Sequence, residues 1–588
     1  MVQPRPRTDP EPPLLSIPAY RPAETFSDTT RRLCGAPYLD ADFGNAVIRE
    51  VVEGERKAVP PSYGFDLDPV VRHCLRARRL LIIRYAIVTA LLVAGLCATP
   101  VWTVSWLGLC ALIVAWRSSA ARELPRGVRG LVAATAVVVI LCAGGYLLMQ
   151  QLFGGIMAGA LGGSLYSDGL TGSDRFTTAI AAGALGVWQL VPLGLAGAMF
   201  LTLFLSRRHV YGVITTELAP GAPASAPRTG SPRVERRLAL VAAMQRGNVV
   251  VHETDPFTGA GWIRHSWSFA VPLKPADGDG RGLVPIDGAA LNRHVHNAIL
   301  ALRDDQLMPN ERIPNVFVVP YMAADGYRRA DDPLIDPHTR TPRTLASPAT
   351  IAAIESCPQG GLRHYLRAVV PANGKEVRTP DGRLVLPAQD SGIGVTAFVH
   401  LAVEGGMLYT EFVATVMPQV RRLFHLVDNL RPERIQVHAA TDTLWNFARE
   451  NILGPARLLR LGWDSIRLGA RMSRSASTAD EFRFYDYGAR FSVRELAAEH
   501  PTVKFLQQLD GGKYIKILDK AVNEAVLEFL EDCGVDTAEY RAVAMNVAYD
   551  FSHATLSGQQ NFGNHNVNVH NGAARAAARV PGGGGARA

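Results

Sequence analysis

Histidine pairs, adjacent carboxylates and glycine-rich turns are the residues whose types and spacing could do chemistry in this chain. His294 and His296 form the closest histidine pair, but residues two apart on a helix point in different directions, and no nearby carboxylate or thiolate completes a metal set. Asp331 and Asp332 have the composition of an acid–base pair, yet they stand beside Pro333 in a loop, where carboxylates are usually solvated. We therefore expect neither a metal site nor acid–base chemistry at these positions.

The glycine, histidine and cysteine patterns also fall short of known catalytic motifs. The run from Gly392 to Gly394 lacks the third glycine of a dinucleotide loop, and the run from Asp277 to Asp279 lacks the terminal glutamate of a calcium loop. Four histidines and one cysteine have no nucleophile-elbow pattern around them and are expected to be structural: His364, His400, His425, His438 and Cys357. The sequence therefore predicts no catalytic residue and no cofactor.

A polar stretch near the C-terminus indicates chemistry of another kind, which is self-assembly. Residues 557–572 combine asparagines with alternating valines, a composition that suits an in-register cross-β stack because each amide then bonds the copies above and below it. The alternatives are a disordered tail and a short extension packed on the preceding domain. The residues predicted to mediate self-association, or binding of a protein partner, are Asn561, Phe562, Gly563, Asn566 and Val567.

Apolar segments dominate the first half of the chain between Leu80 and Leu205, where charges almost vanish. A helix needs about 20 apolar residues to cross a bilayer, so this region has room for several spans. The predicted fold class is an α-helical membrane region with four transmembrane helices and an α+β cytoplasmic domain, with disordered termini. The predicted spans within 80–206 are residues 80–98, 101–116, 131–153 and 176–205.

Arginines set the predicted orientation of these spans. They cluster before the first span, between the second and third, and after the fourth, whereas the third-to-fourth loop offers Asp168, Asp174 and only Arg175. The positive-inside rule then predicts a multi-pass protein of the cell membrane with both termini cytoplasmic. The basic residues behind the net charge of +8 are thus expected to set the orientation of the spans. The expected partner is therefore the lipid bilayer and not nucleic acid. Arg84, one turn inside the first span, is expected to snorkel to the headgroups.

Glycines four residues apart precede the fourth span. Gly155, Gly159 and Gly163 would form a smooth groove that allows close approach of a second helix, so they are candidate helix-packing residues. The alternative is a packed, partly re-entrant connection with no role in oligomers.

The remainder is divided by composition. Residues 1–30 are predicted to be a disordered proline-rich arm, 31–79 a cytoplasmic helical segment, and 217–233 a Pro/Ala/Gly linker. Residues 234–549 are expected to form the cytoplasmic α+β domain, and 550–588 an Asn-rich and then Gly/Ala-rich tail.

Within the α+β domain, alternation predicts five strands and periodicity predicts several helices. Glu404-Gly405-Gly406 is predicted to be a hairpin turn. The basic helix Thr443–Met472 either packs on its own domain or lies on the anionic inner leaflet. A helix around Ile515–Leu530 is predicted to stop at Gly534. The predicted strands are residues 248–252, 267–273, 315–321, 395–403 and 407–416.

Two resemblances follow from short motifs. Asn248-Val-Val-Val, the run from Pro256 to Gly261 and Tyr514-Ile-Lys-Ile-Leu-Asp-Lys520 resemble a group of uncharacterised multi-pass membrane proteins from high-GC bacteria, which implies a bacterial membrane protein without an assigned activity. Asn561-Phe562-Gly563-x-x-Asn566 resembles the core of short amyloid-signalling motifs, with Asn561 where many of them carry glutamine.

Two functional hypotheses result. The first is a membrane effector that assembles through its Asn-rich tail. The second is a membrane-anchored binding or scaffold module without catalytic activity. A transporter is disfavoured because few polar groups lie within the apolar segments. An enzyme acting at the inner leaflet is a further alternative, without residues to assign to it.

Overall fold

The structure is a computed structural model, and it describes residues 13–117 and 191–553 apart from eight short internal gaps. The chain divides into two compact units, each built from separated segments. Unit 1 comprises residues 1–259, 324–347 and 418–503, and unit 2 comprises 260–323, 348–417 and 504–588. The predicted domain 234–549 is therefore shared between both units. The internal gaps are 277–284, 305, 308–311, 314, 372–375, 380, 388–391 and 501–503.

Helices carry most of unit 1 and cover the sheet of unit 2. A π-helix, Ile48–Glu53, and two 3-10 helices, Arg422–His425 and Pro432–Arg434, complete the helical elements of the described residues. The α-helices, numbered in chain order, are α1 Asp28–Leu39, α2 Ala41–Val47, α3 Leu67–Ala98, α4 Pro100–Trp116, α5 Val191–Thr216, α6 Pro232–Met244, α7 Gly288–Ala301, α8 Pro348–Glu355, α9 Leu426–Asn429, α10 Ile435–Glu481, α11 Val493–Leu496, α12 Phe505–Asp532 and α13 Ala538–His553.

The strands range from two-residue pairs to eleven-residue sheet strands. They are β1 Leu15–Ser16, β2 Val249–His252, β3 Trp262–Pro272, β4 Phe317–Asp325, β5 Tyr327–Arg329, β6 Leu345–Ala346, β7 Leu362–Val370, β8 Val377–Arg378, β9 Leu384–Leu386, β10 Gly394–Glu404, β11 Met407–Met417 and β12 Phe484–Asp486. In unit 1, β1 pairs with β6 and β5 pairs with β12, both antiparallel. Part of the arm predicted to be disordered is thus a strand.

The prediction of four transmembrane helices is wrong. Among the described residues, one helix is long and apolar enough to cross a membrane, the 32-residue α3. The predicted first span is only its C-terminal part, and the predicted second span is the 17-residue α4, which is shorter than a full span. The predicted third span and residues 176–190 of the fourth lie outside the described residues, and the rest of the fourth belongs to α5.

Another helix of the same unit covers part of this apolar surface. The long helix α10, which comes from a distant part of the chain, packs against α3, α4 and α5. Its Phe447 ring lies 5.6 Å from Trp106 of α4 and 5.9 Å from Phe200 of α5, measured between ring centroids. Hydropathy assigns every apolar run to lipid and cannot detect such a protein cover.

Helix α3 begins after a capping aspartate. The Asp66 carboxylate accepts a hydrogen bond from the Asp68 backbone amide, so Asp66 is the N-cap. The same carboxylate accepts from the Tyr20 hydroxyl at 2.7 Å and from the Gln245 side-chain amide at 2.8 Å. These contacts join the N-terminal arm and α6 to the base of α3.

The sheet of unit 2 contains strands in the order β4–β7–β10–β11–β3. The pairs β7–β10, β10–β11 and β11–β3 are antiparallel. Gly405 and Gly406 both have positive φ, as the tight connection between β10 and β11 requires, so the predicted hairpin turn is confirmed. The strand β7 was not predicted, because its arginines and histidine interrupt the apolar alternation.

Alternation along the strands gives the sheet two different faces. On one face, Val395, Ala397 and Val399 of β10 join the side chains of α7 and α12 in one buried apolar cluster. On the other face, β10 carries Phe398 and His400. We call the first surface the helix face and the second the polar face.

A buried carboxyl sits within the apolar helix face. Asp519 of α12 accepts a hydrogen bond at 2.8 Å from the Trp267 indole of β3 and one at 3.2 Å from the Asn523 amide. The Tyr540 hydroxyl of α13 donates in turn to Asn523 at 3.0 Å. Burial raises the pKa of Asp519 to about 6, and the hydrogen bonds from Trp267 and Asn523 oppose that rise. This network attaches α12 and α13 to the sheet.

The raised pKa of Asp519 predicts a pH-dependent stability. The folded chain keeps the proton on the Asp519 carboxyl up to about pH 6, whereas the same carboxyl in the unfolded chain loses it near pH 4. The contribution of this proton to the free energy of unfolding is therefore complete below pH 4 and is lost as the pH rises through 6. Asp519→Asn should remove this dependence. Relative to the unmodified chain, the variant should gain about 2 kcal/mol in its free energy of unfolding between pH 4 and pH 8. Thermal unfolding of the full chain in detergent measures this, and a pH-independent difference would contradict it.

Candidate functional site

The two predicted sets of assembly residues lie outside the described residues. These are the glycines Gly155, Gly159 and Gly163, and the tail residues Asn561, Phe562, Gly563, Asn566 and Val567. Both sets remain sequence predictions.

Most of the histidines, aspartates and the cysteine considered as catalytic or metal-binding candidates either form ion pairs or lie in different units. His294 Nε2 lies 3.5 Å from a carboxylate oxygen of Glu528, and Asp331 and Asp332 pair with Arg329 and Arg328. His425 and His438 belong to unit 1 and Cys357 is an exposed free thiol of unit 2. Within the described part of the chain, no group of three or more His, Cys, Asp or Glu side chains could hold a metal ion.

Three arginines surround one carboxylate where α10 crosses α3 and α5. Glu450 of α10 has an 8% exposed side chain and lies 3.3 Å from Arg84 of α3. Arg207 of α5 lies 3.4 Å from it, and Arg457 of α10 lies 3.6 Å from it. The Arg84 and Arg207 side chains are themselves 10% and 13% exposed. We call this set the charged layer.

Tyrosines and a second carboxylate complete the charged layer. Asp442, two turns before Glu450, pairs with Arg207 and accepts a hydrogen bond at 3.1 Å from the Tyr211 hydroxyl. The Tyr85 hydroxyl of α3 accepts from Arg457 at 2.9 Å. Three guanidinium groups thus share two carboxylates, and each carboxylate joins α10 to another helix.

The charged layer is not fully satisfied by its neighbours. Asn451 is 0% exposed, and neither atom of its side-chain amide has a hydrogen-bond partner among the described residues. The Glu450 Oε2 atom is within ion-pair distance of Arg84, yet it too lacks a hydrogen bond from any described residue. Buried polar groups lower the stability of a fold unless they are paired. The packing of the surrounding helices must therefore offset the cost of these unpaired atoms.

The same layer extends to the end of α4. Arg117, which follows α4, donates to the Trp445 backbone carbonyl at 2.7 Å, and its guanidinium lies 3.7 Å from the centre of the Trp445 ring. Arginines of α3 and α5 and the arginine that follows α4 therefore all contact α10. Arg84 pairs with Glu450 there, and the snorkelling of Arg84 stays a prediction.

The sequence contained one signal for this site that was missed. Asp442, Asn446 and Glu450 are four residues apart and form a polar row on a helix that is otherwise rich in arginine. Such a row predicts a basic partner on another element. No residue near this row in the sequence identifies α3 or α5 as that partner.

A second cluster lies on the polar face of the unit 2 sheet. His400 of β10 stands directly opposite Glu411 of β11. The centroid of the His400 ring lies 5.3 Å from that of Tyr365 and 5.8 Å from that of Tyr409. Arg363 Nη1 lies 3.8 Å from the Glu411 Oε2 atom, which has no hydrogen-bond partner among the described residues. His364, although adjacent to Tyr365 in sequence, points to the helix face.

Burial sets the protonation of this polar cluster. His400 Nδ1 lies 2.7 Å from the His364 carbonyl oxygen, and because a carbonyl only accepts, Nδ1 carries the proton. Burial lowers the pKa of His400 to about 4, so the ring is neutral at pH 7 with its lone pair on Nε2. Burial also raises the pKa of Glu411, against the nearby Arg363 charge. The neutral His400 ring and the Glu411 carboxyl therefore lie side by side on the polar face.

Comparison with known proteins identifies the family. Residues 266–570, more than half of the chain, match the model of the AbeC-like domain. The chain therefore belongs to the AbeC-like domain family. The matched region contains both the polar cluster and α10, and it extends through the Asn-rich stretch to residue 570. None of the curated proteins and none of the solved structures gives a match.

The charged layer predicts an unequal cost for two glutamate substitutions. Glu450→Gln leaves three largely buried guanidinium groups around a neutral side chain and should lower the free energy of unfolding by about 3 kcal/mol. Glu524→Gln removes an exposed partner of Lys520 and should change it by less than about 1 kcal/mol. Thermal unfolding of both variants in detergent makes the comparison.

Adding Arg84→Leu to Glu450→Gln should restore part of the lost stability, because one surplus cation is then removed. Equal unfolding temperatures for Glu450→Gln and Glu524→Gln would contradict the assignment of the charged layer.

Proposed function

We propose that this chain is a membrane-anchored binding module of a bacterial cell membrane. In this proposal, α3 and α4 enter the bilayer as a hairpin, and the charged layer lies at the boundary between lipid and water. The remaining folded part stays outside the bilayer and binds a partner there. We assign no reaction to it.

The observation that carries this proposal is the abrupt change from apolar to charged along the helices. Beyond Arg84, α3 has no charged residue up to its end at Ala98, and α4 has none until Arg117 follows it. Only 22% of the most apolar window of α3 is buried inside the protein, unlike the core helix of a soluble domain. Exposed apolar side chains in this region include Ile87, Val93, Val101 and Val104.

The arginine distribution supports a cytoplasmic position for the charged layer. Arg76, Arg78 and Arg79 precede the apolar part of α3, and Arg207 and Arg208 lie toward the C-terminal end of α5. Positive residues remain on the cytoplasmic side of bacterial membranes. The proposed module would therefore bind a cytoplasmic partner.

Anchoring is tested by two matched substitutions. Val93 of α3 is 53% exposed and Val385 of β9 is 54% exposed, so Val→Arg at either position disturbs little packing. Val93→Arg should make the free energy of membrane insertion less favourable by about 3 kcal/mol, because an arginine would then face lipid. An alkaline carbonate wash should therefore release this variant from the membrane pellet. Val385→Arg should stay in the pellet. Release of the unmodified chain by carbonate, or equal retention of both variants, would refute anchoring.

A second candidate is the effector that assembles through its tail. The family match extends to residue 570 and so includes Asn561 to Val567, which favours a role for this stretch within the domain. A chain ending at His553, after α13, keeps every described element. We expect it to remain in the membrane but to lose the detergent-resistant assemblies of the full chain. Identical size distributions of the full and the shortened chain in mild detergent would contradict the assembly hypothesis.

A further inference from the structure

One face of α10 carries large apolar side chains that no other described element covers. Trp445, Leu459 and Ile466 are 69%, 74% and 78% exposed, and Leu444 and Trp463 are 71% and 54% exposed. Trp445, the half-buried Ile452, Leu459 and Ile466 follow one another at intervals of seven residues. That interval is two helical turns, so these residues form one stripe along the helix. We call it the outer stripe.

The outer stripe lies opposite the side of α10 that faces α3 and α5. The buried side contains Thr443, Glu450, Gly454 and Leu461. At 100° per residue, the positions of Leu459 and Ile466 lie about half a turn from that side. The charged layer on one side therefore fixes which side chains the opposite side exposes.

Exposed arginines run beside the outer stripe. Arg460, Arg467 and Arg474 follow one another at intervals of seven residues, and Arg449 lies three turns before the first of them. The Arg467 guanidinium lies 3.9 Å from the centre of the Trp463 ring. Tryptophan and arginine together are typical of the membrane interface, where the ring meets the acyl boundary and the cation meets the headgroups.

We propose that the outer stripe binds the surface of anionic phospholipids, an inference that extends the proposed membrane anchoring. The arginine row supplies charge complementary to anionic headgroups. Contact of Arg117 with Trp445 makes the stripe continuous with the exposed apolar surface of α4, which includes Ile113. A second copy of α10 fits less well, because it would place one arginine row against another. The helix then lies along the headgroup layer beside the anchoring hairpin.

Photo-crosslinking in nanodiscs tests this inference on the full chain. Benzoylphenylalanine would replace Ile466 on the outer stripe, Tyr327 at a matched exposed position, and Val93 on α3 as the reference for anchoring. Discs contain phosphatidylcholine alone or phosphatidylcholine with phosphatidylglycerol. We expect lipid adducts at position 466 but not at 327, with a severalfold higher yield when phosphatidylglycerol is present.

Removing arginines tests the charge contribution separately. Each arginine near an anionic surface contributes about fivefold in binding, so Arg460→Gln with Arg467→Gln should abolish the phosphatidylglycerol enhancement at position 466. Adducts at 93 without adducts at 466 would overturn the inference while leaving anchoring intact. Adducts between position 466 and a second copy of the chain would also overturn it. Adducts at 466 without adducts at 93 would support lipid binding and reject anchoring by α3.

Discussion

A carboxylate removed from water must keep its counter-charges within reach, and in unit 1 this constraint applies to Glu450. Its neighbours Arg84 and Arg207 come from helices far away in the chain, so the requirement can be met in only one register of α10 against α3 and α5. That register determines which residues of α10 are buried. It thereby determines which residues face outward and gives the helix an apolar stripe bordered by arginines. Packing, charge and the proposed membrane contact follow from one buried ion cluster.

In unit 2 the organising constraint is the alternation of the strands. It places Trp267 on the helix face and Glu411 on the polar face, although β3 and β11 are neighbours in the sheet. Burial raises the pKa of both Asp519 and Glu411, but their surroundings differ. Asp519 is tied to an indole and an amide, which makes it structural. Glu411 stands opposite an imidazole and 3.8 Å from Arg363, which places it in a polar and charged setting.

Local patterns predicted local structure well. The β10–β11 hairpin and the end of α12 before Gly534 depend on neighbouring residues, so the sequence contained the necessary information. The number of transmembrane helices was predicted wrongly because, among the described helices, only α3 combines the length and the apolar composition of a full span. The role of Glu450 was missed because its partners Arg84 and Arg207 are identified only by the tertiary fold. β7 was missed because the charged residues of a polar face resemble a loop in sequence.

The chain crosses between its two units several times, and this has an evolutionary consequence. The region matched by the AbeC-like domain begins inside β3 and includes α10, but it excludes α3 and α5, on which α10 packs. Gene fusion or domain shuffling that transferred residues 266–570 alone would leave Glu450 without its ion-pair partners Arg84 and Arg207. For this chain, the segment that keeps Glu450 together with its counter-charges is therefore longer than the matched domain and includes the helices that precede it.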